Sequence, residues 1–241
     1  TVTEATGTER QGKSAVWLAS RVFDEPVQVF TELAARPRAL LPIILLVVVT
    51  AVVAFGTPDD ILQDRARDQI EAVRERAQLT DEQVQERVEG AASIRNRAIF
   101  MFGIGSVAGV AVLALIAVVL MLIFGATGPE PIKFKTEFGI LVHANLISLA
   151  GLVLMVILMR FGGIGDPQLS LGFLFGEETS PFLHRFARQI TLFGTWHMLL
   201  VALGNKILSK AKGIGGPLVI VGGLWLLVKL VGAALGGLFG I

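Results

Sequence analysis

The sequence predicts an all-α integral membrane protein with five transmembrane helices, an outer helical arm and an N-terminal interfacial helix. Three observations predict it. The 241 residues are 53% hydrophobic with a mean hydropathy of +0.69, well above the composition of a soluble domain of this length. Apolar runs long enough to cross a bilayer recur along the chain. Charged residues make up only 17% of it and fall mostly in bursts between those runs. The net charge of +1 argues for neither nucleic acid nor an acidic partner. There is no cysteine, so disulfides and thiolate metal sites are excluded.

Residues 1–13 are small, polar and unpatterned, and are expected to be a disordered tail. Over 14–38, Trp17, Leu18, Val22 and Phe23 recur at helical spacing. After Pro26, which suits a first helical turn, Val27, Phe30, Leu33 and Ala34 do the same. This reads as cytoplasmic amphipathic helices in the membrane interface, or as a soluble helical pair packed on its own chain. Span one is 39–56, a retained span, because the run starts too late for an ordinary cleaved signal peptide.

Hydropathy then collapses over 57–97, the outer helical arm. Thr57-Pro58-Asp59-Asp60 offers a cap, a proline and early carboxylates for one helix, and Thr80–Gln83 is a capping box for a second. Pairs such as Glu71 and Glu75 against Arg74 and Arg76 support the first helix. The arm is either a docking surface for a partner or second subunit, or a solvated connector. Span two, 98–124, carries Gly105 and Gly109 at small-xxx-small spacing. Span three, 138–161, carries His143, Asn145 and Ser148 in its first half. An outer loop and interfacial helix occupy 162–185; a helix opened by Ser180-Pro181 is expected to run on into span four, 186–205, with Thr191, Thr195 and His197. Span five, 214–240, contains Lys229 and a glycine stripe at Gly232, Gly236 and Gly240.

The loops carry an orientation signal. The N-terminal segment, the Lys133/Lys135 loop and the Lys206–Lys212 loop hold every lysine except Lys229. The 57–97 segment holds ten acidic residues and seven arginines. The amino terminus is therefore expected inside and the carboxyl terminus out, in a bacterial cytoplasmic (inner) membrane.

Two motifs resemble a known family. One is the lead Pro26…Phe30…Leu33…Pro37…Pro42 into span one. The other is Phe193-Gly-Thr-Trp196 with Leu199-Leu200 and Leu203-Gly204 in span four. Together they resemble the prokaryotic branch of the Yip domain family, whose eukaryotic members are Ypt/Rab-interacting membrane proteins. The resemblance implies five spans with a cytoplasmic amino terminus and a scaffolding or bilayer-shaping role. The acidic-aromatic cytoplasmic motif of the eukaryotic branch is absent, so Rab-type GTPase binding is not carried over. An acidic residue about one turn before Trp196 would suit the family pattern, and Ile190–Phe193 offers none.

No catalytic signature, cofactor motif or phosphate loop is present. His143 and His197 could share a metal, or each could be hydrogen-bonded inside the bundle; no carboxylate is expected at their depth to complete a site. Asn145, Ser148, Thr191, Thr195 and His197 could line a polar cleft. Lys229, mid-way along span five, is costly in hydrocarbon unless partnered or snorkelled. It marks either a hydrated cleft for an anionic headgroup or ion, or a shallow re-entrant hairpin. Three functional classes follow: a membrane scaffold or bilayer-shaping protein; a small transporter, channel or lipid-handling protein; and, least supported, a membrane enzyme. The expected partners are membrane lipids and a second copy, met through the arm or the glycine stripe.

Overall fold

A computed structural model of the protein describes residues 13–162, 169–175 and 180–239, and the chain there is helical throughout, with no strand. The tail at 1–12 and Gly240 lie outside the described residues. Helix α1 (Ala15–Arg21) starts at Ser14, whose hydroxyl accepts from Trp17 N at 3.1 Å. Helix α2 (Pro26–Ala35) starts on its proline. Their apolar residues divide between the bundle and the surface, with Val16, Phe23 and Val27 exposed. Leu18, Val22, Val29, Phe30 and Leu33 are fully buried in the bundle core, because α2 packs on two later helices and α1 on α3.

Helix α3 (Leu40–Gly56) meets α4 (Asp59–Ala77) at an 89° bend, placed by Pro58, which cannot continue a helical hydrogen-bond ladder. The expected cap at Thr57 serves the other helix: its hydroxyl donates back to Val53 O at 2.7 Å, closing α3. Helix α5 (Asp81–Ala92) opens on the Thr80–Gln83 capping box, with both reciprocal bonds formed. It packs against α4 as a helical hairpin. Val84 and Val88 are buried, and Arg74 bridges Glu71 and Asp81 across the turn. The expected partners Glu75 and Arg76 lie outside the described side chains. Gln78, just past α4, holds a left-handed φ of 51°.

The chain returns as one long helical run, Ile94–Thr127. It comprises α6 (Ile94–Asn96), a π-helical stretch at Arg97–Ile104 and α7 (Gly105–Thr127). At 34 residues it is about 51 Å long, well beyond the ~30 Å hydrocarbon core. Helices α8 (Phe134–Ala144) and α9 (Leu146–Gly162) follow as a second run, with Asn145 at their junction. Half of its most apolar stretch is buried, against 22% for Ile94–Thr127 and 17% for Gly215–Ala234, so α8–α9 is the central pillar.

The expected continuous helix into span four is broken in two. Helix α10 (Pro181–Gln189) and α11 (Leu192–Leu208) are separated by a two-residue extended link at Ile190–Thr191. The segment Leu169–Leu171 pairs with that link, Leu171 N reaching Ile190 O at 2.9 Å and Leu192 N reaching Leu169 O at 2.8 Å. These bonds occupy the backbone groups that a continuous helix would have used. Helix α12 (Gly215–Phe239) completes the bundle against α10 and α11.

Three helical runs are long and apolar enough to cross a membrane, and a fourth counts if α3 with the start of α4 is one bent span. Helix α11 is apolar but shorter, at 17 residues. The basic loops gather at one end of the bundle. Lys210 pairs with Glu130 at 2.6 Å, and Arg38 O lies 3.4 Å from where a Cβ on Gly139 would sit.

Candidate functional site

Two polar regions sit within the bundle. The first lies on α11 and its neighbours, where the sequence places most of the candidate residues. Thr191 is the N-cap of α11, its Oγ1 accepting from Gly194 N at 3.0 Å. Thr195 Oγ1 donates to Thr191 O at 2.9 Å. His143 is fully buried on α8 with Nδ1 2.8 Å from Gly139 O; a carbonyl only accepts, so the ring proton sits on Nδ1. Asn145 carries the backbone ladder across the α8–α9 junction, and Ser148 is half-buried on α9. Among the described residues no hydrogen bond joins the α8–α9 group to the α11 group. The threonines and His143 are each bonded within their own helices.

His197 and Lys229 sit on neighbouring helices, the packed pair α11 and α12. Lys229 is half-buried with Nζ 5.9 Å from the centroid of Trp225, a cation–π contact one helical turn away. His197 Nε2 is buried without a partner.

The second region was not legible in the sequence. Glu137, which the sequence places in a loop, forms the first turn of α8 and is fully buried, as is Asn205 near the end of α11. Asn205 Nδ2 donates to Glu137 Oε1 at 3.0 Å and to Val201 O at 3.1 Å. A carboxyl group therefore lies buried at the start of α8, six residues before His143. Both residues border charged or turn segments, and hydropathy alone assigns such positions to solvent. Among the described residues no three His, Asp or Glu side chains converge as a metal site.

The packing glycines divide in the same way. At Gly105 and Gly109 an added Cβ would meet Thr50 and Leu46 of α3 at 3.7 and 3.8 Å, ordinary contact distances. At Gly232 it would fall 2.8 Å from Gln189 Oε1, while Gly236 continues the helix. The closest helix approaches are elsewhere. A Cβ on Gly204 would sit 2.4 Å from Ile140 Cγ2, and one on Gly151 2.6 Å from the Phe193 ring. The residues of the α11 motif are thus packing residues. Phe193 fills the space over Gly151, Gly194 leaves room for the Thr191 cap, and Trp196 stands edge-on to Phe23 with ring centroids 6.4 Å apart. Leu200 is buried, and Gly204 admits Ile140.

An open groove of about 390 Å³ runs between α1, α3 and α9, lined by Ala19, Phe23, Leu45, Val49, Leu149 and Val153 among other apolar residues. No family model, curated protein or solved structure matches the chain.

Proposed function

We propose that this chain is a non-enzymatic, five-span protein of a bacterial inner membrane that acts as a scaffold, as the Yip resemblance implies. In this reading α3 and α11 both cross the bilayer, the lysine-rich end of the bundle faces the cytoplasm, and the hairpin faces out as a docking arm. The observation that carries it is the base of the hairpin. The Arg97 guanidinium, 6% exposed, donates to Thr57 O at 3.3 Å and pairs with Asp59. It ties the two ends of a 40-residue excursion to each other at the mouth of the bundle. A solvated connector needs no such tie; a docking arm gains from a fixed position, because preorganisation lowers the entropic cost of binding.

A second reading, lipid handling, is favoured by the apolar groove and by the half-buried Lys229 over Trp225. Native mass spectrometry of the protein released with its own lipids, wild type beside Lys229→Met, separates the two. The scaffold reading expects an oligomeric or partner-bound mass and no lipid loss in the variant. A monomer whose retained anionic lipid disappears in Lys229→Met would replace it with lipid handling.

A further inference from the structure

The α8–α11 contact holds a carboxyl–amide pair whose hydrogen bonding is half complete. Asn205 spends both amide hydrogens, one on Glu137 Oε1 and one on Val201 O. Because a backbone carbonyl only accepts, the Val201 bond identifies the nitrogen end of the amide. Two oxygens remain, Glu137 Oε2 and Asn205 Oδ1, both buried and without a partner. If Glu137 were ionised, this site would hold a full negative charge and two bare acceptors away from water, a costly arrangement.

The start of α8 is the one favourable partial charge beside the pair among the described residues, and it leaves Oε2 without a donor. Among the described residues no Lys, Arg or His forms an ion pair with Glu137. Helices α3 and α7 contain no titratable side chain, and α9 has only Arg160, near its far end. On α2, Glu32 has a buried oxygen of its own. Beyond α2, the Arg38 guanidinium is bonded to Lys13 O. His143, on the same helix, donates to Gly139 O. Lys133 and Lys135 flank the helix start, and Lys206 follows Asn205 on α11.

We propose that Glu137 and Asn205 form a proton-binding site: the Glu137 carboxyl carries a proton on Oε2 and donates it to Asn205 Oδ1, while Oε1 accepts from Nδ2. One proton provides the donor that both orphan oxygens lack, and closes a carboxylic acid–carboxamide ring. A hard metal cation fits poorly, because two side-chain oxygens fall short of the roughly six that such ions require.

Infrared difference spectroscopy of the full chain in lipid nanodiscs, near neutral pH, tests this. Ordinary carboxyls are ionised there, so a protonated carboxyl C=O band stands alone. The expected wild-type minus Glu137→Gln spectrum contains one such band, sensitive to D2O exchange, and Asn205→Leu moves it to the higher frequency of an unbonded acid. Glu137→Gln keeps one donor and one acceptor in the same place, so it is expected to unfold at the wild-type temperature. A wild type with no such band, a band that survives Glu137→Gln, or a Glu137→Gln variant that fails to fold would each overturn the proposal. A band unmoved by Asn205→Leu overturns the pairing. If Asn205→Leu does not fold, the wild-type and Glu137→Gln spectra decide alone.

Discussion

At Gly204 the helices come closer than any side chain permits. Adding one carbon there places it 2.4 Å from Ile140 Cγ2, which is a branch next to the backbone and cannot swing away. Gly204→Ala is therefore expected to lower stability by about 1–3 kcal/mol, the usual cost of overpacking. Gly109→Ala meets Leu46 at 3.8 Å and is expected to be neutral or to gain up to about 1 kcal/mol from helix propensity. Thermal unfolding of the two variants in one detergent checks the contrast; equal losses would mean that α8 and α11 do not approach as described. Gly109 falls at a small-residue spacing visible in the sequence and Gly204 does not, so spacing did not mark the face in tight contact. At the exposed Glu130–Lys210 pair, the neighbouring ammonium holds the Glu130 carboxyl below its usual range. That contribution is present above the ordinary glutamate range and fades as pH falls through the lowered value. An exposed pair of this kind is expected to matter little.

Among the elements, the hairpin and α11 carry the local signals most plainly. The Thr80–Gln83 capping box was legible because its four residues are adjacent and the geometry is local. The break at Ile190–Thr191 was not, because it is held by Leu169–Leu171, twenty residues upstream. The base of the hairpin likewise depends on a contact between distant residues. Replacing Arg97 with Gln removes the pair with Asp59, which is 73% exposed and returns to water cheaply, but also unsettles the Thr57 carbonyl. The expected cost is about 1–3 kcal/mol. The more telling readout is local: limited proteolysis near Thr57–Asp59 and Ser93–Arg97 is expected to speed up while the bundle stays intact. Unchanged protection would show that the hairpin is positioned by something other than Arg97.

For the whole molecule, the number and sense of the bilayer crossings follow from which loops lie on which side. The chain has no cysteine, so single cysteines report without background. Glu89→Cys on α5 and Lys212→Cys beyond α11 are both exposed positions. The five-span arrangement expects a membrane-impermeant maleimide, applied to intact cells, to label Glu89→Cys and spare Lys212→Cys. Labelling of both, or the reverse pattern, would require a different number of crossings or the opposite orientation. The Glu130 and Lys210 loops, joined by their ion pair, share one end of the bundle.

What the sequence by itself determined is what short-range physics encodes. Apolar runs, prolines and caps act over a few residues, so helical class, membrane character and most helix starts follow from them. The tertiary structure alone decided which polar groups meet. Glu137 finds Asn205 across 68 residues, Arg97 finds Asp59 across 38, and Leu18, Val22, Phe30 and Leu33 of the N-terminal segment turn onto the bundle. Those outcomes depend on the rotation and order of packed helices, and one apolar stripe serves equally well against lipid or against protein.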